Sequence, residues 1–341
     1  MSPKTNPSPE VIVIGGGVVG LATAEALQAE GLDVCVFERG ALAGEASWAG
    51  GGILAPLPPW GVSDALWALC QEGAARYPQW IAALHRESEI DPEWWPCGME
   101  VRGEDAAIAA DWLNARQLAY SRSGSGLWLP WVSQVRNPRL CRALVVTLRR
   151  RGVSVRDQLG EVNLQVDDRA CAVSVWARGQ RYQPRAIVVA AGAWSAPLLA
   201  GTGWQPPLRP IKGQMLALAA TPGVVPHIIL EGGRYLIPRR DGVVLVGSTL
   251  EDVGFNRETT PEAARELSAF AQSVAPQLQA ATVLAHWAGL RPGSPDGLPL
   301  MQEHPRYPRL FVHAGHFRYG LTMAPATASM LAAQVALSLR G

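Results

Sequence analysis

The chain has 341 residues, a formal net charge of +1, 17 % charged residues and 48 % hydrophobic residues. That length exceeds one ordinary core and requires two domains or an elaborated α/β domain, while the near-neutral balance gives no footprint for nucleic acid or an anionic membrane. Its five cysteines (Cys35, Cys70, Cys97, Cys141, Cys171) are scattered and form no C-x-x-C pair, which speaks against a disulfide framework or a metal site and for a reducing compartment.

The N-terminal MSPKTNPSPE is polar and proline-containing, unlike a signal peptide, so the expected location is cytoplasmic. Next comes a β-branched apolar run, Val11–Ile14, that meets Gly15, Gly17 and Gly20 in G-x-G-x-x-G spacing and leads into an alanine-rich helical segment, Val18–Ala29. The uncharged stretch 11–24 is too short to span a bilayer. At a strand–turn–helix junction the first glycine makes the tight turn and the second lets backbone approach a pyrophosphate. The third lets helix and strand pack closely. The helix N-terminus then offers N–H groups and a positive dipole end to the phosphates. A second apolar run, 32–37, ends in Glu38, eighteen residues after Gly20, where a βαβ unit puts the carboxylate for the ribose hydroxyls.

Residues 40–59 form a Gly-, Ala- and Pro-rich loop, unusually long for a simple connection, which marks a binding loop. Helices are expected over 64–90, 104–120 and 138–151, the last with Leu140, Ala143, Leu144 and Leu148 at helical spacing. Strands follow at 153–155, 162–166 and Ala172–Ala177, and a buried-strand pattern at 186–192 ends in glycine. Alternating strands with Glu231-Gly-Gly and Arg240-Asp-Gly turns occupy 213–250, then a helix over 261–276 and a strand over 284–290. The chain closes with a strand at 310–315 and an apolar helix over 322–339.

Seven segments in order, VIVIGGGVVG, FERG, EASWAGGGILAP, IVVAAGAWS, GGRYLIPR, WAGLRPGSPDG and AGHFRYGLTMAPAT, resemble the FAD-dependent amine oxidases of the D-amino acid oxidase family, and within it the glycine oxidases of thiamine biosynthesis. The resemblance covers nearly the whole chain. It implies an α/β fold with a Rossmann-type FAD-binding domain (1–82, 139–209 and 288–341). Interleaved with it is a smaller α+β substrate domain containing an antiparallel sheet (83–138 and 210–287).

For the cofactor, the resemblance implies non-covalent FAD, since no cysteine follows Cys171 to form a late thioether. It puts Val18 and Val19 in the pyrophosphate turn, Glu38 and Arg39 at the adenosine ribose, and Ala46, Ser47, Gly51, Gly52 and Ile53 in a second cofactor loop. Val162 is expected at adenine, and Ala191, Gly192 and Trp194 beside the cofactor. Residues Gly315, His316, Phe317, Arg318, Tyr319, Gly320, Leu321 and Thr322 are expected to lead the last helix to the flavin.

For the substrate, Arg291 matches the arginine that forks onto the carboxylate, Tyr235 the tyrosine that shares it, and Arg318 a second arginine at the site. A planar guanidinium offers parallel donors that fix orientation as well as affinity. Gly233 stands where a relative carries histidine, Ile53 where one carries methionine, and Ala55 at a pocket wall, so the ranking of small substrates is open. Arg239 and Arg240 read as structural.

The implied reaction moves the α-hydrogen of a neutral amine as hydride to flavin N5. Dioxygen then yields hydrogen peroxide and water hydrolyses the imine, with no protein general base required. Expected substrates are glycine, sarcosine and small D-amino acids. D-amino acid oxidase and D-amino acid dehydrogenase are the alternatives in the same superfamily, and a non-catalytic FAD-binding protein is the alternative outside it. No membrane span and no nucleic-acid partner are expected, and a homo-oligomer is compatible with the chain.

Overall fold

The computed structural model describes residues 8–103, 105–124 and 126–341; the rest of the polar N-terminal segment lies outside the described residues. Its central sheet grows from the apolar runs read above. β1 (Val11–Ile14) pairs in parallel with β2 (Val34–Phe37) and β10 (Ala186–Val189). β6 (Ser154–Arg156) continues the sheet beside β2, β17 (Leu310–Ala314) continues it beside β10, and β16 (Leu300–Glu303) adds an antiparallel edge.

Alternation along these strands decides which layer each side chain enters. Val11, Val13, Val34, Val36 and Val188 face a core shared with α1 (Val18–Ala29), α3 (Asp64–Ser88), α5 (Asn137–Arg150) and α8 (Gly320–Arg340). On the other face, Ile12, Ile14, Cys35, Phe37 and Val189 meet Val175 and Tyr182 of a small antiparallel sheet. That sheet comprises β7 (Val162–Asp167), β8 (Ala172–Ala177) and β9 (Gln180–Tyr182), and Leu199 of α6 (Ser195–Ala200) packs with it. A sheet covered on both faces needs apolar residues at consecutive positions, which is why these strands read as unbroken apolar runs. By composition α8 is long and apolar enough to cross a membrane, yet it packs as a core helix through Ala324, Ala328, Leu331 and Val335. Gly73 of α3 lets the two helices touch, because a Cβ there would overlap the Thr322 carbonyl.

A second, eight-stranded sheet runs in the order β15 (Thr282–Gly293), β11 (Arg209–Ala219), β14 (Val243–Gly247), β13 (Arg234–Pro238), β12 (Ile228–Glu231), β3 (Met99–Arg102), β5 (Gly126–Leu129) and β4 (Ser121–Ser123). Only β12 and β3 pair in parallel. Leu216, Leu218, Leu236, Val244 and Val246 pack on Leu267 and Ala271 of α7 (Pro261–Val274). Met215, Ala217, Tyr235 and Ile237 alternate to the opposite face, in one core with Ala109 and Leu113 of α4 (Asp105–Ala115).

Several elements depart from the sequence reading. The helix expected over 104–120 ends at Ala115, and residue 104 lies outside the described residues. Strands β3, β4, β5, β9 and β16 were not anticipated, being only three or four residues long, too short for a periodicity to declare itself. β11 begins four residues before the expected start at 213 and carries Gly213 in its interior. The expected domain limits at 82 and 288 lie within the spans of α3 and β15.

Candidate active site

A cleft of about 590 Å³ runs from the carboxyl ends of β1 and β2 to the underside of the eight-stranded sheet. Such a crevice at the strand ends of a parallel sheet is where α/β folds bind nucleotides. At its phosphate end Gly15 has φ +123°, a conformation that L side chains rarely adopt, and a Cβ there would also overlap the Ala190 carbonyl. A Cβ on Gly20 would overlap the Gly15 carbonyl, so the third glycine brings α1 down onto β1. Gly17 caps α1 without a side chain, and Ser47 Oγ accepts from the Val18 N–H at 2.9 Å. Glu38 closes this end, its two oxygens accepting from Gly16 N at 2.7 Å and Gly40 N at 2.8 Å. Arg39 lies 4.0 Å over the Trp194 ring.

The cleft floor is the loop after the short helix α2 (Ala46–Ala49). Gly51 and Gly52 bring bare backbone to the surface, and Gly52 has φ +83° with no room for a Cβ beside the Val135 carbonyl. Arg239 holds this loop from behind: it is 7 % exposed and donates to Gly51 O (3.0 Å), Gln134 Oε1 (2.6 Å) and Val135 O (3.2 Å). Burial pulls its pKa down to about 10. Its structural reading therefore has a definite task, shaping the floor. Thr322 ties the same loop to α8 by donating to Ile53 O at 3.3 Å. No side chain caps α8 at Tyr319, and Gly320 and Leu321 of its first turn line the cleft.

Two buried imidazoles sit beneath, their rings 4.8 Å apart. Thr23 Oγ1 donates to Val19 O, so His313 Nδ1 donates to Thr23 Oγ1 at 2.8 Å. Thr327 Oγ1 donates to Met323 O, so His316 Nε2 donates to Thr327 at 3.3 Å. Each remaining ring nitrogen is buried without a partner among the described residues. Burial pushes the His316 pKa down to about 3 and that of His313 well below the usual histidine value. His316 is thus neutral at ordinary pH and holds no proton to give as a cation.

Over the far end, β15 and β13 present Arg291 and Tyr235. Arg291 Nη1 donates to Lys212 O (3.2 Å) and Thr249 O (3.3 Å), and Nη2 donates to Ser248 Oγ (2.8 Å). Those bonds use three of the five guanidinium donors, the Tyr235 phenol also hydrogen-bonds the group, and no carboxylate pairs with it among the described residues. Burial lowers the Arg291 pKa; the Tyr235 phenol opposes that, and Arg318 adds to it. Gly213 makes the space: a Cβ on it would overlap the Arg291 guanidinium. The Tyr235 hydroxyl lies 3.1 Å from Ser248 Oγ, its ring lying across Gly247. Arg318 Nη1 donates to Leu57 O at 3.0 Å.

Most expected site residues converge on this cleft. Gly15, Gly17, Val18, Val19, Glu38, Arg39, Ala46, Ser47, Gly51 and Gly52 line it, as do Ile53, Ala55, Val162, Ala191, Gly192 and Trp194. So do Tyr235, Arg291, His316, Phe317, Arg318, Gly320 and Leu321. Gly20, Gly315, Tyr319 and Thr322 lie behind the lining and support it. Gly233 sits exposed in the β12–β13 turn with nothing within 4 Å of a Cβ and is not among the residues that line the cleft. Gly213, Met215, Ser248, Gly289 and His313 were missed. A glycine inside a strand signals close backbone approach, and that signal was present at Gly213 and Gly289; nothing local marked Ser248 or His313.

This glycine-lined crevice, with its uncapped helix N-termini and a carboxylate at the end of β2, fits a dinucleotide cofactor by the space it leaves. The chain matches the FAD-dependent oxidoreductase family model over residues 10–334 and belongs to that family. FAD is its cofactor, and it is an FAD-dependent amino acid oxidase. It is 38 % identical to a glycine oxidase of Pseudomonas putida, covering 95 % of this chain and 93 % of that one, and 39 % identical to one of Pseudomonas aeruginosa, covering 95 % and 94 %. A bifunctional ThiO/ThiG protein of Nostoc is 32 % identical over 95 % of this chain and 52 % of its own length. The glycine oxidase structure from Geobacillus kaustophilus superposes with a TM-score of 0.89 at 25 % identity, covering 96 % of this chain and 94 % of that one.

Proposed function

We propose that the chain oxidises glycine, with sarcosine and small D-amino acids as further substrates, to the imine and then the 2-oxo acid, hydrogen peroxide and ammonia (methylamine from sarcosine). The carrying observation is Arg291, a half-buried guanidinium that lines the cleft beside the Tyr235 hydroxyl and has no carboxylate partner among the described residues. A substrate carboxylate supplies the missing charge, and the fork sets which α-hydrogen faces the cofactor. Bound FAD supplies the hydride acceptor and, through dioxygen, the route to peroxide. The backbone of Gly51 and Gly52 and the N-terminus of α8 hold the flavin end, and the positive helix terminus favours negative charge there. The phosphate end belongs to the α1 N-terminus and Ser47, the ribose to Glu38, and the parallel sheet carries the cofactor while the antiparallel sheet carries the substrate anchors.

No side chain is assigned as acid or base: His316 is held neutral, and the neutral-amine form of the substrate is the one that gives up hydride. Ile53, Ala55, Leu57 and Met215 give the pocket short apolar walls, which favours glycine over bulky D-amino acids. The ThiO/ThiG name of the Nostoc relative supports a place in thiamine biosynthesis; non-covalent FAD rests on there being no cysteine after Cys171 to form a late thioether, and the location is read as cytoplasmic. The test is peroxide release across glycine, sarcosine, D-alanine, D-proline and larger D-amino acids, with L-alanine as control. Glycine, sarcosine and D-alanine lead on this reading; fast turnover of L-alanine, or no turnover of any member, overturns it.

A further inference from the structure

We propose that Ser248 is a positioning residue that commits the Tyr235 hydroxyl to donate to the substrate carboxylate, relaying the charge of Arg291 through one hydrogen-bonded chain. The inference rests on the carboxylate reading of Arg291 and Tyr235 above. Ser248 does not line the cleft, so it can act on a ligand only through its neighbours. It lies between both anchors, 2.8 Å from Arg291 Nη2 and 3.1 Å from the Tyr235 hydroxyl.

The donor inventory fixes the direction. A guanidinium nitrogen can only donate, so the bond from Arg291 uses a lone pair of Ser248 Oγ and leaves the serine proton available. A carboxylate can only accept, so once it reaches the site the Tyr235 proton must point to it. Tyr235 Oη donates to Ser248 Oγ in the free site; once its proton turns to the carboxylate, Ser248 at 3.1 Å can donate back to it, beside the Arg291 guanidinium that also hydrogen-bonds the phenol. The ordered chain runs from Arg291 N–H to Ser248 O–H to Tyr235 O–H to carboxylate, each bond polarising the next. Three backbone features hold it. Gly247 carries no side chain, since a Cβ would meet the Tyr235 ring at 2.5 Å, and β13 and β14 place Tyr235 opposite Gly247. Behind, the neighbouring Thr249 carbonyl accepts from Arg291, and its amide follows β11 through a bond to Gln214 O.

The test uses the FAD-loaded enzyme and glycolate, a carboxylate that lacks the amine, titrated against the cofactor absorbance. Ser248→Ala should weaken glycolate about three- to tenfold and lower glycine kcat/KM by the same factor through KM, with kcat and FAD content held. In a Tyr235→Phe background the same substitution should change glycolate affinity less than twofold, because the relay has lost its next member. Ser248→Thr should restore affinity. Ser248→Cys, of similar volume but a weak donor, repeats the comparison should the alanine variant lose FAD. An equal loss in both backgrounds, or no loss in the native one, overturns the relay. Arg291→Ala is measured alongside: if it binds glycolate as the native enzyme does, the carboxylate reading itself fails. If it loses binding while the Ser248 effects are additive, only the relay fails.

Discussion

The buried pair His313 and His316 makes the protein sensitive to mild acid, and the size of the effect follows from their burial. Both rings are at most 1 % exposed and each donates one N–H to a threonine, with its other nitrogen desolvated. In the unfolded chain each imidazole takes a proton near pH 6.5, whereas in the folded protein His316 does so at about 3 and His313 well below the usual value. Between those limits the unfolded state binds more protons, so stability is complete above pH 6.5 and falls as pH drops through the window. From pH 7.5 to 5.0 the loss is about 2 kcal/mol for each imidazole, since every unit below 6.5 contributes about 1.4 kcal/mol. Urea unfolding of the apoprotein at both pH values, native against the His313→Gln, His316→Gln double variant, isolates this part from other titrating groups. The native protein should lose about 4 kcal/mol more than the variant over that interval. Equal losses would show that the two rings are not buried neutral, and the tautomer assignment would go with them.

Gly213→Ala should lower glycine kcat/KM on the order of a hundredfold at normal FAD content, because its Cβ displaces the Arg291 guanidinium from its seat; steady-state kinetics within twofold of native would refute the geometry. Arg291→Ala should lose roughly 2–5 kcal/mol in kcat/KM, and Arg291→Lys should also be poor because an ammonium cannot reproduce the fork. Tyr235→Phe should lose less, roughly 0.5–3 kcal/mol, since the arginine remains. Acid precipitation should leave the yellow colour in the supernatant; colour retained by the pellet would show a covalent flavin.

The cofactor half of the molecule was legible because its signals are local. Gly15, Gly17, Gly20 and Glu38 lie within one βαβ unit, where turn, helix start and strand end follow each other in sequence. The parallel strands could be read for a related reason, their apolar runs being long enough to stand out from flanking glycines. The substrate half depends on contacts across strands. Gly213 inside β11, Arg291 near the end of β15 and Ser248 just after β14 are far apart in sequence, and only the pairing of β11 with β15 and β14 brings them together. Arg291 and Tyr235 were found through the resemblance, not through any pattern of their own. In sequence His313 is one more strand position, and its partner, the Thr23 hydroxyl, comes from distant α1. Gly233 shows the converse: the resemblance put it at the pocket edge, and the fold leaves it exposed in a hairpin turn.

The central claim is that a carboxylate held by Arg291 presents an amine to the flavin, and anaerobic mixing of the FAD-loaded protein with glycine or with methylamine tests it most directly. Glycine should bleach the flavin absorbance, methylamine at the same concentration should not, and Arg291→Ala should erase the difference between them. A flavin that glycine leaves oxidised, or that methylamine reduces as fast as glycine does, would contradict the account.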